Sequence, residues 1–157
     1  MEDKIILLDL NYTLVSNQRD TRTIRPFSAR LAYEEYRADL IKAIGENYVI
    51  LITARPSYQG DQTLENVERK TGWKPGEAYF NDLNYDPPRI KESILQRFVF
   101  PRHGMDGSKY FAVESNPKTR AMYAKYGIKA EPYDVFIKRF PELAPVPQDQ
   151  TPSLFDE

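Results

Sequence analysis

The sequence predicts an α/β domain built around a parallel sheet of about five strands. Short apolar runs, too brief for helices, recur along the chain, and the stretches between them have helical character. Gly45, Gly72 and Gly127 fall where those helical stretches should stop. Strands that are apolar throughout belong in a sheet covered on both faces. Their alternation with helices gives a three-layer sandwich whose ligands bind beyond the carboxyl ends of the strands.

Residues 5–8 (IILL) form the first strand, ending at Asp9, and residues 48–52 form the second, ending at Thr53. Residues 78–80 give a third, weaker strand, residues 110–113 a fourth that ends at Glu114, and residues 128–131 a short fifth. Helices are predicted over 29–44, 62–71, 89–98 and 118–126. Pro117 suits the first turn of the last one, where its fixed φ and missing N–H are tolerated. Segments 81–88 (NDLNYDPP) and 101–109 read as loops. A sheet that sets the first, second and fourth strands side by side gathers Asp9, Thr53 and Glu114 at one rim.

A chain of 157 residues suits one domain with a substantial core. Its 22 Lys and Arg balance 23 Asp and Glu, so no global field favours nucleic acid or an anionic membrane. The lack of cysteine removes disulfides, thiolate metal sites and a thiol nucleophile, and a single histidine, His103, leaves almost no basis for zinc. No apolar run reaches membrane-spanning length, and acidic residues follow Met1 where a signal peptide would be basic. The expectation is a soluble, cytoplasmic protein with no membrane partner. Residues 1–140 are expected to form the domain, and the proline-rich residues 141–157 an extended or flexible tail.

The segment IILLDLNYTLV resembles the opening motif of the haloacid dehalogenase (HAD) superfamily, an apolar strand delivering Asp-x-Asp-x-Thr. Asp9 matches the nucleophile and Thr13 the threonine. Thr53 in VILITARP resembles the second motif, Lys91 in RIKESIL the third, and YFAVESN the acidic fourth. The resemblance implies a Rossmann-like fold and phosphoryl transfer through an aspartyl-phosphate, which divides one difficult hydrolysis into two easier transfers. It assigns Thr53, Ala54, Arg55 and Lys91 to phosphate binding, since hydroxyl and cationic donors stabilise charge near the nucleophile; Arg55 could equally be a surface charge, and Lys70 or Lys109 could take the place of Lys91. It further implies Mg2+, with Asp9, Asn11 through its backbone carbonyl, Glu114 and Asn116 as ligands and Asp134 as a remoter candidate.

The departures bear on activity. Family phosphatases carry a second Asp two residues after the nucleophile as general acid and base, and this chain has Asn11, which cannot exchange a proton at neutral pH. General acid–base assistance contributes roughly 10²- to 10⁴-fold. The fourth motif reads Glu114-Ser115-Asn116 in place of paired or spaced aspartates. Two readings follow: a phosphohydrolase or phosphotransferase with an unusual acid–base arrangement, and a catalytically impaired relative that binds a phosphorylated ligand or a protein.

The segments after the first and second motifs are too short for a cap domain, and an open site suits bulky substrates. The layout is similar to the 3′-phosphatase domain of polynucleotide kinase/phosphatases, which implies a nucleotide or nucleic-acid end as substrate. Arg19, Arg22, Arg25 and Arg30, interleaved with Phe27 and Tyr33, fit that expectation, and equally fit a solvated loop balanced by Asp20, Glu34 and Glu35. In the tail, Gln150, Leu154 and Phe155 resemble the Gln-plus-Leu-Phe peptides that dock bacterial DNA-metabolism proteins on the sliding clamp. The same apolar pair would also suit packing on the protein's own surface.

Overall fold

Five strands, β1 (Ile5–Leu8), β2 (Tyr48–Pro56), β3 (Glu77–Asn81), β4 (Tyr110–Val113) and β5 (Lys129–Glu131), form one parallel sheet in the order β3-β2-β1-β4-β5. The structure is a computed structural model that describes residues 3–143. Among the described residues, eight α-helical segments cover the sheet: α1 (Gln18–Thr21), α2 (Phe27–Tyr33), α3 (Ala38–Ile44), α4 (Gly60–Thr71), α5 (Pro87–Ile94), α6 (Phe100–His103), α7 (Pro117–Lys125) and α8 (Tyr133–Phe136).

The period-two alternation of the strands divides the apolar residues between two cores. Ile6, Leu8, Val49, Leu51, Phe111 and Val113 pack with Leu40 and Ile44 of α3, Val67 of α4 and Phe136 of α8. Leu7, Ile50, Ile52 and Ala112 pack on the other face with Ile90 and Ile94 of α5 and Met122 and Tyr123 of α7. Each fully buried aliphatic side chain contributes roughly 1.5–3 kcal/mol, so the central strands are the most firmly held part of the molecule. Register then sets the rim. Leu8 is level with Leu51 of β2 and Val113 of β4, and Asp9 N–H donates to Val113 O at 3.0 Å.

The stretch 29–44, expected as one helix, is two. Helix α2 stops at Tyr33 because the ammonium of Lys70 takes the carbonyls of Leu31, Ala32 and Glu34 at 3.0, 2.8 and 2.6 Å. Residues 34–37 then run against the end of the first motif, with Ser16 N–H donating to Glu35 O and Arg37 N–H to Leu14 O, both at 2.9 Å. The second strand continues past Thr53 to Pro56, across an irregularity in its pairing with β3 between Ile52 and Pro56. The helix expected over 89–98 runs on through a wider π-helical turn, Leu95–Val99, into α6, and ends where Gly104 adopts φ 99°. Helices α1 and α8 have no counterpart among the expected elements.

Among the described residues, a helical turn (Leu10–Leu14), α1, α2 and α3 lie between β1 and β2, and one 3₁₀ turn and α4 between β2 and β3. No cap is evident. Among the described residues, no helix is long and apolar enough to cross a membrane. Pro141–Leu143 form a 3₁₀ turn, with Leu143 packed on the first of the two cores. Gln150, Leu154 and Phe155 lie outside the described residues.

Candidate active site

The chain leaves β1 through a turn that bends back on the strand's own end. Leu10–Leu14 form one wide helical turn in which Asn11 is extended and Tyr12 is left-handed at φ 64°. A tyrosine in that region is strained by about 1–3 kcal/mol, a strain that the surrounding contacts must hold in place. The turn returns Thr13 to Asp9, and its buried hydroxyl donates to Asp9 Oδ2 at 2.7 Å. Thr13 therefore sits behind the carboxylate and orients it.

Asp9 opens into a cleft of about 570 Å³ at the carboxyl ends of β1, β2 and β4. Asn11, Tyr12, Thr53 and Ala54 line one side, and Lys91, Glu114, Ser115 and Asn116 the other. Helix α5 delivers Lys91 from below the rim. Its ammonium lies 2.7 Å from Asp9 Oδ1 and 2.7 Å from Glu114 Oε1, and all three side chains are buried. Burial works against the Asp9 charge, but Lys91 and the hydrogen bonds from Lys91, Thr13 and Ser115 outweigh it and hold the carboxyl below its ordinary range. For Glu114 the balance reverses: burial, assisted by the Asp9 charge, outweighs Lys91 and pushes the carboxyl up to about 7. Lys91 stays protonated, since its two carboxylates outweigh desolvation and raise its pKa.

Arg55 does not enter the cleft. Its guanidinium is buried against Glu34, at 3.2 Å from Oε1 and 2.8 Å from Oε2, and also donates to Thr63 at 3.1 Å. It reaches the first motif from behind, donating to Asn11 Oδ1 at 2.8 Å. That bond turns the Asn11 carbonyl toward Arg55, and Nδ2 has no hydrogen-bond partner among the described residues. Asn11 thus offers the cleft a donor. The Thr53 hydroxyl accepts from Arg55 N–H at 3.1 Å, which leaves its own proton for a ligand.

The predicted cation ligands are arranged for other purposes. Glu114 Oε2 accepts from Asn116 N–H at 3.0 Å, and Asn116 Oδ1 caps α7 by accepting from Lys118 and Thr119 N–H. Asp134 belongs to α8 and does not line the cleft. Between the two remaining ligands stands Ser115, which sequence reasoning did not single out. Its hydroxyl lies 2.8 Å from Asp9 Oδ2 and 3.4 Å from the Asn11 carbonyl oxygen, and its N–H lies 3.3 Å from Asp9 Oδ2. Mg2+ demands near-octahedral oxygen ligands at about 2.0–2.1 Å. The residues present do not fit it, because every carboxylate oxygen at the cleft already has a donor and a hydroxyl bridges the intended seat. The signal for Ser115 was its place directly after a strand-end residue.

Glu34 was the other omission, since nothing local marks one glutamate among several as buried. The cleft mouth adds Tyr12, 48% exposed, whose hydroxyl accepts from Arg22 at 3.4 Å. Arg19, Arg22 and Arg25 are exposed, whereas Arg30 is half-buried beside Glu34.

No family model matches the chain, and no curated protein matches it. Among solved structures, the chain is similar to a phosphoserine phosphatase in its apo form, with 15% sequence identity and a TM-score of 0.55. The likeness covers 82% of this chain and 86% of that one. It is a likeness of fold alone, that of an α/β Rossmann-like sandwich around a five-stranded parallel sheet.

Proposed function

We propose that the cleft binds a phosphate monoester and that Asp9 accepts its phosphoryl group, so that the protein is a phosphohydrolase or phosphotransferase of the HAD type. The observation that carries this reading is the convergence of Asp9, Thr53 and Lys91, from three separate elements, on one cleft with the ammonium 2.7 Å from the carboxylate. An Asp9 oxygen attacks phosphorus and the bond to the leaving oxygen breaks. Water then attacks the acyl-phosphate, releasing phosphate and the free carboxylate. Lys91, Thr53 and the Asn11 amide offset the charge that collects on the phosphoryl oxygens.

Asn11 cannot protonate the leaving oxygen, so alkyl phosphate esters turn over slowly and an ester with an acidic leaving group turns over faster. Because the cleft is open and has Tyr12 and Arg22 at its mouth, a nucleotide or nucleic-acid end is the proposed substrate class. The tyrosine face supplies stacking and the arginine a further phosphate contact.

The test is turnover of p-nitrophenyl phosphate beside trapping of the phosphorylated protein by intact mass. A hydroxylamine-sensitive adduct of one phosphoryl group, absent from Asp9→Asn, is expected. Binding of phosphate monoesters with neither adduct nor turnover would establish the second reading, a binding protein. That alternative is favoured by the bond that ties Asn11 to Arg55.

A further inference from the structure

Every carboxylate oxygen at the floor of the cleft already accepts a hydrogen bond. Asp9 Oδ1 and Glu114 Oε1 each accept from Lys91, Asp9 Oδ2 accepts from Thr13 and Ser115, and Glu114 Oε2 accepts from the Asn116 N–H. Facing the cavity are groups with protons still to give. The Lys91 ammonium has three donors and uses two, the Thr53 hydroxyl accepts but does not donate, and Asn11 Nδ2 is unpartnered among the described residues. Such a floor presents protons to an anion, while each carboxylate oxygen that a hard cation would need is already engaged by a donor.

We propose that the Ser115 hydroxyl, together with Lys91, takes the place of a divalent cation in this cleft, so that the protein binds a phosphate group without any metal ion. The inference rests on the reading of the cleft as a phosphate site and concerns how that site neutralises charge. Ser115 is placed for the role by three contacts: its hydroxyl touches Asp9 Oδ2 and the Asn11 carbonyl, and its N–H also reaches Asp9. A cation bridging those two oxygens would have to displace the hydroxyl. The arm that could supply a second negative ligand, Glu114, is drawn away by Lys91 and by the Asn116 backbone. Arg120 holds the backbone of this loop by donating to the carbonyls of Glu114 and Ser115, both at 2.9 Å.

Isothermal titration of the full chain with inorganic phosphate, once in excess EDTA and once in millimolar Mg2+, is the test. Equal affinity within about twofold is expected. A tenfold or greater gain with Mg2+ would overturn metal independence while leaving the phosphate site intact. No binding under either condition would overturn the phosphate reading and this inference with it.

Ser115→Asp supplies a second readout that needs no phosphate. Titrated with Mg2+ alone, the variant is expected to bind at least tenfold more tightly than the wild type, as heat and as a rise in melting temperature. A folded variant that shows no such gain, judged by its circular dichroism, would remove Ser115 from the role.

Discussion

Lys91 Nζ stands 2.7 Å from Asp9 Oδ1 although 82 positions separate the two residues, and neither side chain is more than a few per cent exposed. The same ammonium holds Glu114, so one cation accounts for two buried carboxylates. Replacing it with the similarly shaped Lys91→Met should destabilise the fold by about 3–5 kcal/mol, since removing one partner leaves buried charge uncompensated. Urea denaturation measures this, and Glu114→Gln in the same background should recover part of the loss. A neutral effect of Lys91→Met would mean that the pair is not buried as described.

The two carboxylates should give stability opposite dependences on pH. Glu114 is pushed up from 4.5 to about 7, so the folded state binds more protons than the unfolded state between those values. Its contribution is full below about pH 4.5 and is lost as the pH rises through 7. Asp9, held below its ordinary value, contributes above that value and loses its contribution as the pH falls through the folded pKa. Glu114→Gln should therefore gain stability relative to wild type between about pH 5 and pH 7.5, read from urea midpoints. Parallel profiles would contradict the assignment.

Restoring the missing acid should not restore a phosphatase. Arg55 already donates to the Oδ1 of residue 11 at 2.8 Å, so the carboxylate of Asn11→Asp would pair with a guanidinium and stay ionised at neutral pH. The expected gain in p-nitrophenyl phosphate turnover is less than tenfold, against the roughly 10²- to 10⁴-fold available to a competent general acid. A hundredfold gain would show that Arg55 can yield residue 11 during catalysis.

Glu34 is buried completely, and its carboxylate meets Arg55, with Tyr36 donating to Oε1 at 2.9 Å. Glu34→Ala should cost about 3–5 kcal/mol by leaving the guanidinium without its counter-charge. It should also loosen Asn11, visible as a change in the Asn11 side-chain amide signal by nuclear magnetic resonance. An unperturbed amide would separate the ion pair from the cleft.

The rim was legible because its cause is local. An apolar run that ends at Asp9, Thr53 or Glu114 declares both the strand and the residue that leaves it, and the sheet register does the rest. The break at residues 34–37 was not legible, because Lys70 and Arg55, which hold it, come from distant parts of the chain. Arg55 beside Thr53 resembled a ligand clamp for the same reason: the glutamate that captures it lies 21 positions earlier. Ser115 was obscured by its chemistry, since beyond its place after a strand end nothing marks a serine between two more obvious polar residues as the one whose hydroxyl reaches Asp9.

The guanidinium of Arg55 touches both Asn11 and Glu34, so a change at any of the three positions is felt by the other two. Over evolutionary time these sites should drift as one inherited character. Homologous chains with Asp at position 11 should differ at 34 and 55 as well, and that covariation offers a way to recognise this lineage when overall sequence similarity has faded.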